Sequence, residues 1–271
     1  MPKVSVIMAT FNCEETLKDS IDSIINQSYK DWEFIICDDC STDSTYDILL
    51  EYNRQYPGKF KILKNKKNSK LSFSLNRCLD NSVGTYIARM DGDDISVRER
   101  LEKQVQFLDV HPEYDLVGTA MLPFDKHGER PIRFAKLEPD KNDMLNRSPF
   151  FHATIMMRKD AYEKVGRYYV SKRTERAQDY DMWFRFFARG LRGYNLQEPL
   201  YRVLEDDNAI RRRTFRTRCY EVQTRLIGYR QLGYPFYKYI YAFKPIIAAL
   251  TPVRLMQWFH VITDAKSENR K

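Results

Sequence analysis

Three aspartates within four positions, Asp91, Asp93 and Asp94, could bind a metal ion where they follow the apolar run Tyr86-Ile87-Ala88. Asp91 and Asp93 are two residues apart, so in an extended backbone their side chains point to the same side. Carboxylates this close repel one another unless a cation or hydrogen-bond donors face them. A hard divalent cation that also binds phosphate oxygens would relieve the repulsion. An ordinary polar turn at a strand end would show the same pattern. Only the rest of the chain can distinguish a metal site from such a turn.

The residues on either side of this cluster alternate between strand and helix patterns. Short, β-branched apolar runs predict buried strands at Val4–Ala9, Trp32–Cys37, Phe60–Leu63 and Tyr86–Met90. Amphipathic spacing predicts helices between them, the first of them capped by Asn12. This alternation predicts an α/β fold with a mostly parallel sheet.

Polar residues follow three of the predicted strands. They are Thr10-Phe11-Asn12, Asp38-Asp39 and Asp91-Gly92-Asp93-Asp94. Ligands of such sheets bind at the carboxyl ends of the strands, so these residues are expected to form one site. The first glycine of the chain is Gly58, and the first strand-to-helix turn therefore lacks the glycines of a dinucleotide fingerprint or a P-loop. These two classes of nucleotide-binding protein are nearly excluded.

Weaker patterns continue beyond the acidic cluster. They predict a helix at Arg98–Val110, a strand at Tyr114–Thr119, irregular chain over 121–150, a strand at Phe151–Arg158, and helices at Lys159–Val165 and from Gln178 to Arg189.

Composition is typical of a globular protein, with 43% hydrophobic and 30% charged residues among 271. The net charge of +8 lies in the tail: residues 1–205 hold 32 basic and 32 acidic residues, whereas 206–271 hold 13 and 5. Five cysteines without a regular framework predict reduced thiols and a cytoplasmic location. No basic segment followed by a long apolar core begins the chain, so no signal peptide is expected.

In these features the sequence resembles the family 2 glycosyltransferases, which are inverting enzymes with the GT-A fold. The resemblance covers about residues 3–205 and rests on Val4–Asn12, Cys37–Asp43, Gly84–Ile87, Asp91–Asp94 and Gln178–Trp183. It implies a Rossmann-like, mostly parallel sheet flanked by helices. Residues 1–95 would bind the nucleotide, 96–205 the acceptor, and 206–271 would form a basic, amphipathic helical tail.

The resemblance also implies a site for a nucleotide-sugar donor, expected to be a UDP-sugar. Thr10, Phe11, Asn12 and Glu14 would border the nucleotide. Asp39 would accept a hydrogen bond from the uracil ring.

The acidic cluster would hold the rest of the donor. Asp91 would reach the ribose, with Gly92 beside it, and Asp93 would bind Mn²⁺ or Mg²⁺, which holds the diphosphate. Asp94 would support the metal or the donor sugar. Arg77 falls near the region where the donor would bind. It could equally be an ordinary arginine on a helix surface with no role in binding.

Inversion requires one base that takes the proton of the acceptor hydroxyl. Asp179 stands where the family has this base. Asp181 is two residues further along the helix and about 200° away, so one of the two must point elsewhere; Asp181 is expected to stabilise the helix N-terminus. His152 could contact donor or acceptor, or could be structural.

The expected activity is transfer of one sugar to a glycan acceptor, expected to be lipid-linked, in surface polysaccharide synthesis (O-antigen, capsule or exopolysaccharide). The Gln-x-x-Arg-Trp signature of processive synthases is absent from the sequence. A nucleotidyltransferase on a related fold is the alternative, but it normally has a glycine-rich basic loop after the first strand. A nucleotide-sugar-binding protein without catalysis is a third reading, which the presence of both Asp93 and Asp179 disfavours.

The basic tail mixes aromatic and cationic side chains. Such a composition suits a helix on an anionic membrane surface, here the inner face of the plasma membrane. Helices packed on the catalytic domain or on a second subunit, as in a homodimer, would also fit. No recognition motif for nucleic acid accompanies the charge, so no nucleic acid partner is expected.

Overall fold

The computed structural model describes residues 1–205 and 214–246. The basic run at 211–213 and the tail from 247 onward lie outside the described residues. The strands are β1 Val4–Thr10, β2 Trp32–Asp38, β3 Phe60–Lys64, β4 Tyr86–Asp91, β5 Ile95–Ser96, β6 Leu116–Asp125, β7 Gly128–Glu129, β8 Met156–Arg158 and β9 Gly193–Leu204. The α-helices are α1 Leu17–Ile25, α2 Thr45–Gln55, α3 Leu71–Asp80, α4 Arg100–Val110, α5 Lys159–Val165, α6 Gln178–Ala188 and α7 Phe215–Gln231. Three 3₁₀ helices lie at Lys141–Leu145, His152–Thr154 and Phe236–Phe243.

One sheet runs through the molecule in the order β3-β2-β1-β4-β8-β6-β9-β5, with β7 beside β6. Strands β3, β2, β1 and β4 are parallel, which confirms the α/β prediction for this part. Strand β8 pairs antiparallel with both β4 and β6, and β6 and β9 are parallel. The sheet is therefore parallel from β3 to β4 and mixed beyond β4.

Several local predictions were wrong. Strand β6 continues into the predicted irregular stretch as far as Asp125, and β9 had no prediction at all. Of the strand predicted at Phe151–Arg158, only Met156–Arg158 is a strand, and His152–Thr154 form a 3₁₀ helix. Helix α1 begins at Leu17 after Thr16, and not after Asn12, which has a φ of 51°. Asparagine tolerates this left-handed conformation, so Asn12 makes the turn that leads to the helix.

Alternate residues of the central strands enter two cores on opposite faces of the sheet. On β4, Ala88 and Met90 belong to one core, whereas Ile87 belongs to the other, which also contains Trp183 of α6. By the same alternation Arg89 and Asp91 lie on the Ile87 face, toward α6.

The described part of the tail packs on this second core. Tyr229 of α7 lies edge-on to Phe184 of α6, with ring centroids 5.7 Å apart. Gly228 allows the approach, because a Cβ there would lie 2.1 Å from the Phe184 ring. Neither α7 nor any other helix within 1–205 and 214–246 combines the length and apolarity needed to span a membrane.

Candidate active site

The acidic turn after β4 packs closely against the loop after β1. A Cβ on Gly92 would lie 3.1 Å from the Cys13 sulfur, so this position suits glycine. The Thr16 hydroxyl donates a hydrogen bond to the Gly92 carbonyl at 2.8 Å. The backbone of the turn is thus held at the carboxyl edge of the sheet.

The first carboxylate of the turn is neutralised from below by Arg89. Nη1 of Arg89 donates to Oδ2 of Asp91 at 3.0 Å, and Nη2 lies 2.7 Å from Oδ1. Burial is the largest influence and lowers the pKa of Arg89, but the Asp91 carboxylate, together with Tyr168, Tyr201 and Tyr162, raises that pKa overall. A cation of the chain therefore compensates part of the carboxylate repulsion.

The third carboxylate, Asp94, is buried and ties the turn to strand β9. Its Oδ1 accepts a hydrogen bond from the Leu204 backbone N–H at 2.9 Å. The Tyr201 hydroxyl, which accepts from the Asp91 N–H at 3.1 Å, also hydrogen-bonds the Asp94 carboxyl. Burial, with the nearby charges of Asp91 and Asp93, raises the pKa of Asp94 well above its usual value. Asp93 differs from its neighbours in being exposed.

Asp39 sits at the end of β2 and fixes the loop before α3. Its carboxylate accepts from the Asn65 amide at 2.6 Å and from the backbone N–H groups of Ser69 and Lys70 at 2.7 and 2.8 Å. Arg77 of α3 supports this arrangement, since its Nη1 donates to Oδ1 of Asn65 at 2.7 Å. Arg77 thus contacts Asp39 through Asn65.

The loops after β1 and β2 are joined by side-chain to backbone hydrogen bonds. Asn12 Oδ1 accepts from the Thr42 N–H at 2.9 Å, and Glu14 Oε2 accepts from the Ser44 N–H at 2.8 Å. The Phe11 ring is 47% exposed above this junction, where a flat base could stack on it.

Thr10 lies below the same junction. Its hydroxyl oxygen is buried and has no hydrogen-bond partner within the described ranges. A buried polar atom of this kind normally has a partner in the working molecule, such as water or ligand.

Asp179 lies in the first turn of α6, at the wall of a cavity of about 340 Å³. Loss of solvation raises the pKa of its carboxyl, although the Tyr180 N–H and the charge of Arg89 act in the opposite direction. A carboxylate with a raised pKa is a better proton acceptor than an ordinary aspartate.

Asp181 points away from this cavity and is buried. Arg173 Nη2 donates to its Oδ1 at 2.8 Å, and Arg185 Nε donates to its Oδ2 at 2.9 Å. The two aspartates of α6 therefore do separate, but Asp181 is held by two arginines and does not simply stabilise the helix N-terminus.

His152 has a structural environment. Its Nε2 lies 2.9 Å from the Tyr168 hydroxyl, and its ring packs edge-on against Trp183 with centroids 5.6 Å apart. Burial, and then the charge of Arg89, lower its pKa well below the usual value, so the ring is neutral.

The carboxylates of the acidic turn suit a divalent metal that binds together with the phosphate groups of a substrate. Among the residues that the structure describes, no three His, Cys, Asp or Glu side chains converge as a complete metal cage. Mg²⁺ commonly uses one or two carboxylates plus the phosphate oxygens of a substrate. The exposed Asp93 carboxylate, with Asp91 beside it, fits that mode.

Comparison with known proteins agrees with this fold. Residues 5–166 match the sequence model of Glycosyl transferase family 2. The chain belongs to this family of glycosyltransferases. The matched stretch includes Asp39 and the acidic turn but ends before Asp179.

Individual relatives extend the likeness beyond the matched stretch. The chain is 48% identical to the glycosyltransferase EpsE of Bacillus subtilis, over 96% of this chain and 93% of that protein. It is 27% identical to WfaP of Escherichia coli, a UDP-Glc:α-D-GlcNAc-diphosphoundecaprenol β-1,3-glucosyltransferase, over 75% of this chain and 78% of that one.

Among solved structures, TarS of S. aureus bound to UDP-GlcNAc superposes with a TM-score of 0.69 at 18% identity. The superposition covers 85% of this chain and 70% of the TarS chain. It confirms the expected GT-A fold.

Proposed function

We propose that this glycosyltransferase moves one sugar from a UDP-sugar to a glycan acceptor with inversion at the anomeric carbon. The proposal rests on one observation: two carboxylates, Asp93 and Asp179, lie in different environments. Asp93 is exposed on the β4 turn, whereas Asp179 is desolvated in a cavity at α6. Arg89 lies between these two environments, because it contacts Asp91 and its charge acts on Asp179.

The donor would bind across the carboxyl ends of β1, β2 and β4. Phe11 offers an exposed ring to the base, and Asn12 and Glu14 fix the loop that carries it. Oδ2 of Asp39 accepts from Lys70 N–H and keeps a lone pair for the uracil N–H. Asp94 and Arg77 would act less directly, since Asp94 anchors the turn and Arg77 anchors Asn65.

The diphosphate would lie at Asp93, which would hold Mn²⁺ or Mg²⁺. When bound there, the ion would offset the negative charge that develops on the departing nucleoside diphosphate. Asp91, oriented by Arg89, would accept hydrogen bonds from the ribose. Gly92 would let the turn that carries these two carboxylates lie close to Cys13 in the loop after β1.

Asp179 would act as the base. As the acceptor oxygen attacks the anomeric carbon from the side opposite to the UDP, its proton passes to the Asp179 carboxylate. The new C–O bond forms while the bond to the UDP oxygen breaks, so the configuration inverts. The raised pKa of Asp179 suits this role, because a general base is most effective when its pKa is closer to the operating pH.

The acceptor would be a lipid-linked glycan used in surface polysaccharide synthesis. The name of the relative WfaP includes a diphosphoundecaprenol acceptor. In the segment Phe236–Phe243 the side chains of Phe236, Tyr237 and Ile240 are 87%, 72% and 69% exposed, with Lys238 among them. Aromatic and cationic side chains together suit an anionic membrane surface.

The cysteines are consistent with the inner, cytoplasmic face of that membrane. All five lie within the described residues and are free thiols. Reduced thiols are typical of the cytoplasm.

The donor half of the proposal is tested by a panel of UDP- and dTDP-sugars with Mn²⁺ or with EDTA, following hydrolysis of each donor. We expect hydrolysis of one UDP-sugar that EDTA abolishes, loss of this activity in Asp93→Asn, and no loss in Asp47→Asn. Asp47 is an exposed aspartate of α2 and serves as the matched control. Hydrolysis that survives EDTA would refute the metal-dependent mechanism.

A further inference from the structure

The cavity beside Asp179 has a wall that the proposed reaction does not use. It measures about 340 Å³, within the range of about 300–1,000 Å³ that is usual for small-molecule sites. It lies where α7 and the segment after Phe243 pack on α6. Its lining residues are Asn146, Arg176, Ala177, Asp179, Tyr180, Arg218, Glu221, Arg225, Lys244 and Pro245.

The charge of this wall is positive. Four cationic side chains line it, Arg176, Arg218, Arg225 and Lys244, and they are called the basic cleft below. Only Asp179 and Glu221 oppose them among the lining residues. Burial, followed by the charge of Arg225, lowers the pKa of Lys244, so the cations are close enough to repel one another.

Two of these cations have buried N–H groups without acceptors. Nη1 of Arg225 and Nε of Arg218 have no hydrogen-bond partner in the described part of the chain. The other groups of these arginines are engaged: Nη1 of Arg218 donates to Oε2 of Glu221 at 3.4 Å, and the Arg225 side chain faces the Tyr180 and Tyr229 hydroxyls. The Arg225 guanidinium also lies 4.5 Å over the Tyr180 ring. Unsatisfied buried donors are uncommon and costly, and a bound anion would satisfy these two with charge-assisted hydrogen bonds.

The cleft also has a second chamber. An adjoining cavity of about 370 Å³ shares Arg176, Ala177 and Glu221 with the first. It adds the basic residues Lys172, Arg173 and Arg216 and the acidic residue Glu175 to the lining. Together the two cavities offer room for more than one phosphate group.

The cleft lies between the proposed base and the exposed aromatic segment Phe236–Phe243. Asp179 lines the same cavity, so an anion held there lies next to the proposed base. Lys244 directly follows Phe236–Phe243, whose aromatic side chains are exposed. A molecule in the cleft would have its anion between the base and this apolar surface.

We propose that the basic cleft binds the diphosphate of the acceptor, and that the sugar which receives the transferred residue is the one attached directly to that diphosphate. Asp179 and the cations line one cavity, so the hydroxyl that gives its proton to Asp179 is expected close to the diphosphate, as in a sugar attached directly to it. The binding of an anion in the cleft does not depend on the proposed function. The identification of that anion as the diphosphate of the acceptor does rest on it.

Binding of inorganic pyrophosphate to the full chain, measured by calorimetry in EDTA, tests the cleft without turnover. EDTA is included so that a metal at Asp93 cannot bind the probe. We expect binding to the wild type, and binding at least about tenfold weaker in Arg218→Gln/Arg225→Gln, since each arginine supplies charge-assisted hydrogen bonds. Arg230→Gln, an exposed arginine of α7 outside the cavity, is the matched control and should bind as the wild type does.

Two further variants keep the outcome decisive. Lys244→Gln should weaken binding even if the double variant fails to fold. Asp93→Asn should bind pyrophosphate normally, because the probe occupies the cleft and not the donor site. No binding to the wild type, or equal loss in Arg230→Gln, would overturn the proposal.

The source of the diphosphate is resolved by a second probe. Farnesyl diphosphate binding more tightly than pyrophosphate would indicate a lipid-linked acceptor, and equal binding would indicate a soluble sugar diphosphate; either supports the cleft. Failure of donor hydrolysis with pyrophosphate binding intact would refute the proposed function and leave the anion site standing.

Discussion

Arg89 and Asp91, two residues apart on β4, form a two-point contact in which Nη1 donates to Oδ2 at 3.0 Å and Nη2 lies 2.7 Å from Oδ1. The arginine is 4% exposed, so the pair lies at the boundary between core and site. The charge of Arg89 also lowers the pKa of Asp179, opposing the effect of burial there. One buried cation thus influences both the donor side and the base.

This contact predicts unequal costs for two neighbouring substitutions. Asp91→Asn should lower the free energy of unfolding by about 3 kcal/mol, because it leaves Arg89 buried without its carboxylate. Asp93→Asn should cost markedly less, since Asp93 is exposed and its charge acts unfavourably on the buried Asp94 carboxyl. Urea unfolding followed by circular dichroism measures both, and equal losses would contradict the assigned roles.

The two aspartates of α6 should also differ. Asp181→Asn breaks the contacts with Arg173 and Arg185 and should destabilise the fold by about 3 kcal/mol. Asp179→Asn should keep or raise the melting temperature at pH 7. The reason is that the folded pKa of Asp179 is raised, so the folded protein binds more protons than the unfolded chain, and stability from this group falls as pH rises.

The stability difference for Asp179 has a defined pH window. Below the unfolded value of about 3.9 both states are protonated, so wild type and Asp179→Asn should unfold alike there. Thermal unfolding at several pH values measures this. A wild type that is more stable than Asp179→Asn at pH 7 would show that the Asp179 carboxylate is not desolvated.

The raised pKa of Asp179 also predicts the pH dependence of transfer. A base must be unprotonated, so kcat/KM should fall on the acid side at a pH above the ordinary aspartate value of about 3.9. Rates measured across pH with saturating Mn²⁺ locate this limb, and UDP binding across the same range serves as the control. An acid limb at the ordinary value would argue against Asp179 as the base.

Membrane contact through the Phe236–Phe243 segment can be tested by flotation with phosphatidylglycerol vesicles. Phe236→Ser/Ile240→Ser should lower vesicle binding roughly tenfold or more, because each apolar side chain that enters the interface contributes about 1.5–3 kcal/mol. Val110→Ser, at an exposed apolar residue at the end of α4, is the matched control. Equal flotation of all three proteins would remove this segment from membrane binding.

Much of the N-terminal half could be predicted from the sequence because it is built from local patterns. The strands that end at Thr10, Asp38 and Asp91 are continuous apolar runs, and polar residues mark their ends. Parallel pairing of such strands brings these ends to one edge whatever the details of packing.

The contacts that define each carboxylate could not be predicted, because they join residues far apart in sequence. Asp94 is held by Leu204 and Asp91 by the Tyr201 hydroxyl, each 110 residues away, from a strand that has no clean alternation. Strand alternation places Arg89 on the same face of β4 as Asp91, next to the acidic cluster. This is the one signal in the sequence that could have identified Arg89 as part of the site. Three of the four cations of the basic cleft come from α7 and from Lys244, and only the packing of the tail brings these three to Asp179.

The central claim is that metal-linked donor binding and proton transfer are assigned to separate carboxylates. The most direct measurement is the rate of sugar transfer by Asp179→Asn with Mn²⁺ present, taken together with its affinity for UDP. We expect transfer to fall by about 100-fold or more, the usual contribution of a general base, while UDP binds as in the wild type. Transfer at the wild-type rate, or loss of UDP binding in step with transfer, would contradict the claim.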